Sequence, residues 1–178
     1  MSENDLIFWS QNFQLQVIHF QGIPDKQNRS SASSNTNMQY QFHHEVKTTK
    51  NKYKIKINKI EVFSFFNTKK SWLRRRDATK EENLYKLLKH EQGHFDLAEE
   101  CARKINLQMN KFSGKSYSCK STQKEKAIDE IKQMLDKKFK AYALVLKKAH
   151  KQYDEDTNHG TIEFMQNKYN TKFAELHN

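Results

Sequence analysis

The chain contains little glycine, proline or cysteine. Its 178 residues include 4 Gly, 1 Pro and 2 Cys. Because glycine and proline are the residues that interrupt helices most strongly, their scarcity predicts long helices. The two cysteines, Cys101 and Cys119, allow at most one disulfide bond, which would form if the protein is exported. A pair of buried thiols is the alternative, so the cysteines leave the compartment open.

Long apolar runs are absent as well. No segment approaches the roughly 20 apolar residues of a membrane-spanning helix, and we therefore expect no membrane span. The first ten residues carry acidic side chains and no long apolar run. We therefore expect no signal peptide in the chain as given, which by default favours a cytoplasmic location.

Apolar residues make up only 35% of the chain, but 12% of all residues are aromatic, with 12 Phe and 7 Tyr. A few large aromatic side chains can build a core despite the low apolar content. The length is also close to that of one ordinary domain. We therefore predict a single folded domain over residues 1–178, with a polar surface.

Positive charge exceeds negative charge, which gives a formal net charge of +11. Such a balance is typical of proteins that bind nucleic acids or other polyanions. The basic residues, however, are spread along most of the chain. We interpret the densest cluster as a solvated stretch between a strand and a helix, with nucleic-acid binding as the less favoured alternative. This basic cluster surrounds Trp72 and consists of Lys69, Lys70, Arg74, Arg75 and Arg76.

The first third of the chain shows strand-like patterns. Apolar residues alternate with polar ones within residues 6–20 and again within residues 53–66, and both segments are predicted to contain strands. In the second segment the alternation changes phase near Asn58. The Ser- and Asn-rich residues 26–37 predict a loop, and residues 47–51 are a plausible hairpin connection.

After Trp72 the hydrophobic period becomes helical. Apolar residues three and four apart predict one helix over residues 84–112, stopped by Gly114, and a second over residues 128–149. The polar residues 153–160 are predicted to break the second helix. Strands followed by helices indicate the α+β class.

The predicted helix starts rest on local sequence signals. Thr79 with Glu82, and Thr122 with Glu125, have the spacing of capping boxes. They predict the beginnings of the first and second helices. A third and last helix is expected to begin near Thr161.

The string HEQGH occupies residues 90–94, in the middle of the first predicted helix. Helical spacing places His90 and His94 on one face about one turn apart, where two imidazoles can bind one tetrahedral zinc ion. Glu91 then faces the zinc-bound water and serves as general base for attack on a carbonyl. Two alternatives stay open, namely a metal site without catalysis and a pair of ordinary histidines at the edge of the core.

A catalytic zinc site normally has three protein ligands and one open position. The common extension of the motif requires Gly and His at two later positions, where this chain has Leu97 and Glu100. The best remaining candidate for the third ligand is His159, in the polar segment before Gly160. The weaker candidates are His43, His44, Glu99 and Glu100. Because His43 and His44 are neighbours in a predicted strand, their side chains would point to opposite faces, so at most one of them could join the site.

Three further polar residues are candidates for supporting roles. Asp96 and Asp154 are candidates for orienting a ligand imidazole through a hydrogen bond. Tyr153 is a candidate donor to the oxyanion that develops during hydrolysis.

The strings HEQGHFDLAE at residues 90–99 and YDEDTNHG at residues 153–160 resemble motifs of a bacterial family of uncharacterised proteins predicted to be secreted zinc-dependent proteases. The resemblance spans most of the chain, since it also includes Ser71, Trp72, Phe20, Gln21, Gly22 and Pro24. It implies a zincin-like fold with zinc bound by His90, His94 and His159, and Glu91 as catalytic acid and base. Many members are thought to be exported, whereas we expect no signal peptide in the chain as given, so the resemblance leaves the compartment open.

The leading hypothesis is therefore a zinc metallopeptidase that cleaves peptide or protein substrates of unknown sequence. The alternative is a basic polyanion-binding module with a structural or vestigial metal site. That module would depend on residues 74–76 and would bind more weakly as salt rises. Neither hypothesis specifies an oligomeric state.

Overall fold

The computed structural model describes residues 5–27, 30–49, 52–74 and 81–178. Its antiparallel strands and three α-helices form a mixed α/β structure, which is compatible with the predicted α+β class. In chain order the elements are β1 (Leu6–Phe8), β2 (Ala32–Ser33), β3 (Thr36–Thr49), β4 (Lys52–Asn67), β5 (Trp72–Leu73), α1 (Glu81–Met109), β6 (Ser116–Ser118), α2 (Lys124–Thr157) and α3 (Glu163–Ala174).

Strand β4 is the centre of the main sheet, because β1, β3 and β6 all pair with it in antiparallel fashion. A second, two-stranded sheet joins β2 to β5. In the β3–β4 ladder His43 pairs with Lys59 and His44 pairs with Ile57, so Asn58 is an extra residue on β4. This bulge confirms the predicted change of phase, and it keeps apolar side chains on the core face along the whole strand.

The prediction of a strand within residues 6–20 is only partly correct. Only Leu6–Phe8 joins the sheet, and Val17–His19 forms a short 3-10 helix. Leu15 is buried against α1, where its backbone N–H donates to the Gln92 Oε1 atom at 2.8 Å. The alternating apolar residues of this segment therefore reflect packing onto a helix, which periodicity alone does not distinguish from a strand. The predicted loop at 26–37 likewise contains β2 and the start of β3.

Helix α1 carries the buried stripe that its sequence predicts. It ends at Met109 and tightens into a 3-10 turn before Gly114, whose φ of 76° ends the segment as predicted. The predicted capping residue Thr79 lies outside the described residues. In the second helix the prediction of a capping box is wrong, because α2 has Gln123 as its N-cap and no side-chain cap hydrogen bond.

Helix α2 also runs further than predicted. The polar residues 153–157 continue the helix, and the chain leaves it only at Asn158, which has a left-handed conformation. Thr157 is fully buried and its hydroxyl donates to the Tyr153 carbonyl oxygen at 2.7 Å. Asp154 is therefore held on a rigid helix, whereas His159 lies in the turn that follows.

The main core lies between the sheet and helices α1 and α2. It includes Ile55, Ile57, Ile60, Ile105, Met109 and Leu135. Both cysteines are free and buried, and the Cys119 thiol donates to the Ala127 carbonyl oxygen at 3.4 Å. A smaller cluster of Leu97, Tyr153 and Phe173 joins α1, α2 and α3 beneath the HEQGH segment. Among the helices that the structure describes, none is long and apolar enough to cross a membrane.

Candidate metal centre

The HEQGH segment lies in the buried middle of α1. His90, Glu91 and His94 retain only 3%, 3% and 9% of their full exposure. The rings of His90 and His94 face each other edge-on, with 4.8 Å between centroids. Helical spacing thus places two imidazoles side by side at the surface that α1 presents to α2.

Asp154 of α2 brings a carboxylate to both rings. Its Oδ1 atom lies 3.2 Å from His90 Nε2 and 3.0 Å from His94 Nε2. His159 approaches the same oxygen through Nδ1 at 3.4 Å and is the exposed member of the group, with 68% of its side chain accessible. Donor atoms of His90, Asp154 and His159 all lie within 4.8 Å of one another. The structure thus brings together the three histidines of the predicted ligand set and places Asp154, the sequence candidate for orienting a ligand imidazole, in direct contact with all three.

The carboxyl group of Asp154 has a perturbed acidity. Burial by itself raises its pKa, but His90 and His94, when their rings are protonated, donate hydrogen bonds to the carboxylate and carry positive charge beside it, and these contacts hold the pKa well below its usual range. Asp154 is therefore a carboxylate at neutral pH and is available as an anionic ligand.

The tautomer of His90 follows from its second contact. Its Nδ1 atom lies 3.2 Å from the Oε1 atom of Gln166, which can only accept a hydrogen bond. The orientation of that amide is set by its Nε2 atom, which donates to Tyr153 Oη at 2.7 Å and to Asn170 Oδ1 at 3.0 Å. The neutral His90 ring therefore carries its proton on Nδ1 and directs the lone pair of Nε2 toward Asp154.

This arrangement fits a bound cation. A lone pair on His90 Nε2 and an anionic oxygen at 3.2 Å repel each other unless a proton or a metal ion lies between them. Ligand atoms that share a tetrahedral zinc at about 2.0 to 2.1 Å are about 3.3 Å apart. The separations of 3.0, 3.2 and 3.4 Å around Asp154 Oδ1 are close to that spacing, and the two shorter ones are also hydrogen-bond lengths. Imidazole nitrogens with a carboxylate oxygen are also the donors that zinc prefers.

Tyr153 supports His90 from below. The two rings stack with 4.8 Å between centroids and 10° between planes, and the phenol donates to the His90 carbonyl oxygen at 3.2 Å. A Cβ atom at Gly93 would lie 2.1 Å from the Tyr153 hydroxyl oxygen, so this close packing requires glycine. The sequence suggested Tyr153 as a donor to a substrate oxyanion. The structure instead buries it completely, with its hydroxyl directed at α1 and Gln166.

Asp96 has partners away from the two motif histidines. Its Oδ1 atom accepts hydrogen bonds from Trp9 Nε1 and Gln92 Nε2, each at 2.9 Å, and lies 3.2 Å from His177 Nε2. Asp96 therefore does not contact the imidazole of His90 or His94, the role suggested for it from the sequence. Instead it links Trp9 and His177, which lie near the two ends of the described chain, to α1.

His150 is a member of the site that sequence reasoning missed. Its Nδ1 atom lies 2.9 Å from His94 Nδ1, and its Nε2 atom lies 3.1 Å from Thr36 Oγ1. Burial, together with the positive charge that His94 can carry, lowers the pKa of His150 to about 3, so the ring is neutral. The four-residue spacing of His150 and Asp154 repeats that of His90 and His94. The sequence therefore contained a signal that His150 lies on the same helix face as Asp154.

The weaker ligand candidates are engaged elsewhere. His43 pairs with Glu61 on the sheet, at 3.2 Å, and His44 contacts Phe42 on the same strand. The carboxylates of Glu99 and Glu100 bind basic and hydroxyl groups outside the cluster, namely Ser64, Arg103, Lys104 and Lys172.

Glu91 combines burial with an unsatisfied oxygen. Its Oε2 atom is buried and has no hydrogen-bond partner among the described residues. Glu91 also lines a cavity of about 1060 Å³ that is bordered by His90, His94, Asp154 and His159. A buried carboxylate oxygen without a protein partner is costly, so a water molecule or another donor is expected to satisfy it.

In the described part of the basic cluster, Trp72 is not exposed for stacking on a ligand. Trp72 is 6% exposed and Arg74 lies over its ring at 5.2 Å. The Arg74 guanidinium also donates to the Ser30 carbonyl oxygen at 2.9 Å. Lys69 and Lys70 are exposed, and Arg75 and Arg76 lie outside the described residues.

Fold and site together define an α+β protein with a cluster of histidine and carboxylate side chains between two long helices. Residues 16–160 match the model of the family described as "Bacterial protein of unknown function (DUF922)", and the chain belongs to this family. No curated protein shows a significant match. The same is true of the solved structures.

Proposed function

We propose that this protein is a zinc-dependent peptidase of zincin-like fold, with Glu91 as general base. The proposal rests above all on one observation. The Nε2 atoms of His90 and His94 converge on Asp154 Oδ1, and these residues line one cavity together with Glu91, which has a buried oxygen without a partner in the described part of the chain.

The residues divide into ion-binding and proton-transferring groups. His90 and His94 would hold the ion, and both Asp154 and His159 are in position for the third ligand. The ion, when bound, supplies a Lewis acid that lowers the pKa of water and polarises a carbonyl group. Glu91 accepts the proton of the attacking water and delivers it to the leaving amine. Its burial strengthens this proton transfer because few waters compete for the carboxylate.

One wall of the cavity suits an extended polypeptide. Residues 31–34, which include β2, line the cavity next to the histidines. The Arg74 N–H donates to the Ser31 carbonyl oxygen, and Ala32 and Ser33 follow opposite Leu73 and Trp72. Because hydrogen-bonded pairs alternate in an antiparallel ladder, the polar backbone groups of Ala32 point away from β5. A substrate strand that runs along this edge would pair with them.

The metal claim is tested first. Wild-type protein, purified and loaded with zinc, should retain one equivalent after gel filtration, whereas His90→Ala should retain none. His43→Ala is the matched control, because His43 is a histidine of the same chain that lies on the sheet surface. A wild-type protein without stoichiometric zinc would overturn the proposal. Comparing His159→Ala with Asp154→Asn then identifies the third ligand as the residue whose loss weakens zinc binding more.

The catalytic claim is tested separately. Glu91→Gln should abolish hydrolysis of an unfolded protein such as casein while zinc stoichiometry stays at one. Glu100→Gln is the matched control, since this glutamate lies on the same helix and binds Lys104 and Lys172. Hydrolysis by Glu91→Gln at the wild-type rate would refute the role of Glu91. If wild-type protein binds zinc but hydrolyses nothing, the site is a metal site without peptidase activity.

A further inference from the structure

We propose that His150 is a positioning residue for zinc binding: it fixes the ring of His94 so that its Nε2 lone pair faces the ion. This inference rests on the proposed zinc site. It concerns a residue that touches neither the ion nor a substrate but acts through His94.

The contact geometry carries the inference. His94 Nδ1 lies 2.9 Å from His150 Nδ1, and His150 Nε2 lies 3.1 Å from Thr36 Oγ1. The Thr36 hydroxyl lies 3.4 Å from the carbonyl oxygen of His94. The three residues therefore form a closed chain of hydrogen bonds that begins and ends on His94.

A neutral imidazole has one N–H and one lone pair, so this chain has two possible directions. In the first, His94 Nδ1 donates to His150, His150 Nε2 donates to Thr36, and Thr36 donates to the His94 carbonyl oxygen. Every donor then has an acceptor, and His94 Nε2 is left with a lone pair directed at Asp154, 3.0 Å away.

In the second direction His150 Nδ1 donates to His94 and Thr36 donates to His150. His94 then carries its proton on Nε2 and donates it to Asp154. This arrangement satisfies the protein without an ion, but it occupies the nitrogen that zinc requires. Binding of zinc therefore selects the first direction, and His150 serves as the acceptor that stabilises it.

A second contact in the site shows the same principle in simpler form. Gln166 Oε1 can only accept, so it holds His90 in the tautomer that leaves Nε2 free. His150 differs because its ring can both donate and accept. His90 is thus held by a partner that can only accept a hydrogen bond, whereas the hydrogen bond between His94 and His150 changes direction when zinc binds.

The test measures zinc affinity by competition with a chelating dye. His150→Leu removes the acceptor and should weaken zinc binding about 10- to 100-fold. In His150→Asn the amide lies near the position of the lost Nδ1 atom and can accept or donate, so this variant should recover most of the affinity. Thr36→Val removes only the outer link and should have a smaller effect. Affinity of His150→Leu within twofold of wild type would overturn the inference.

Nitrogen-15 NMR of the histidine rings gives a readout that needs no variant. In the zinc-loaded protein His94 should carry its proton on Nδ1 and His150 on Nε2. In the metal-free protein both positions should reverse. A zinc-loaded His150 protonated on Nδ1 would refute the inference even if His150→Leu fails to fold. If wild-type protein binds no zinc, the proposed function fails as well, whereas an irrelevant His150 in a zinc-binding protein removes only this inference.

Discussion

The phenol ring of Tyr153 lies flat against the imidazole of His90, with its hydroxyl pressed against the backbone of Gly93. This contact links the middle of α1 to the last turns of α2. It also explains why the second x of the HExxH pattern is glycine in this chain. The contact between Tyr153 and Gly93 predicts how a substitution of this glycine changes stability.

Gly93→Ala should destabilise the protein by about 1–3 kcal/mol, because the new methyl group collides with Tyr153. The sign of the change in the free energy of unfolding distinguishes a tightly packed position from an open one. In an open helix position the same change stabilises by about 0.5–1 kcal/mol, since glycine is the poorer helix former. Urea unfolding of the metal-free variant measures the difference, and a more stable variant would contradict the packing described here.

Asp154→Asn should weaken zinc binding at least tenfold, because the anionic oxygen between the histidines is lost. It should also change the acid stability of the metal-free protein. The folded-state pKa of Asp154 lies below its ordinary value of about 3.9, so its carboxylate stabilises the fold above that pH and loses this effect as the pH falls.

Urea midpoints between pH 2 and pH 7, measured with a chelator present, compare wild type with Asp154→Asn. The wild-type midpoint should fall more steeply below pH 4 than that of the variant. Parallel curves would show that Asp154 has an ordinary acidity in the folded protein. Asp129→Asn, a change of another carboxylate on the same helix, is the control for the loss of one charge.

Tyr169→Phe should alter the alkaline limit of stability. Burial and the hydrogen bond to Asp156, at 2.6 Å, raise the pKa of Tyr169 to about 12. The unfolded chain has a tyrosine pKa near 10. The stabilising effect of this neutral phenol is therefore present below about pH 10 and is lost as the pH rises toward 12.

Absorbance at 295 nm follows the ionisation of this phenol directly. Burial also raises the pKa values of Tyr40 and Tyr153, so wild type should show several late-titrating tyrosines, and Tyr169→Phe should reduce the amplitude of that late phase by one phenol. Asp156→Asn should shift the same transition toward lower pH, because it removes the negative charge beside the phenol, which opposes ionisation of Tyr169. A late phase that persists unchanged in Tyr169→Phe would assign it to another tyrosine.

Deletion of Asn58 tests the bulge in β4. Without the extra residue, Ile57 and Ile60 become two positions apart, so both still face the core, opposite His44 and Phe42. We therefore expect the deletion to be tolerated, at a cost of about 0.5–3 kcal/mol for the loss of the local twist that the bulge provides. Circular dichroism and urea unfolding measure this. A deletion variant that fails to fold would contradict the assignment of Asn58 as the extra residue, and Asn58→Ala, which keeps the bulge, should remain close to wild type.

These elements show which parts of the fold can be predicted from local sequence patterns. The phase change at Asn58 and the buried stripe of α1 were readable because each depends on residues close in sequence. The segment around Leu15 was read as a strand because its apolar residues alternate, although they pack against a helix whose position the local pattern does not contain. Helix α2 continues through Asp154 because Tyr153 and Thr157 are buried against other elements. This packing overrides the polar composition of residues 153–157, which by itself predicted a break in the helix.

The candidate site divides in the same way. His90, Glu91 and His94 are recognisable because one helix turn fixes their spacing. His150 and Gln166 act on those rings from more than 50 positions away in the chain, as the separations of 56 and 76 residues show. No short motif records such pairs. Only the packing of α2 and α3 onto α1 brings them into hydrogen-bond distance.

The turn that carries His159 has a further consequence for evolution. Asn158, His159 and Gly160 have successive φ angles of 44°, 54° and 81°, so all three adopt the left-handed conformation. A side chain with a Cβ atom costs roughly 1–2 kcal/mol there, and glycine at position 159 would relax the backbone. Stability and the proposed metal binding therefore favour different residues at this position. Variants selected for heat resistance alone would be expected to lose this imidazole and to keep the fold.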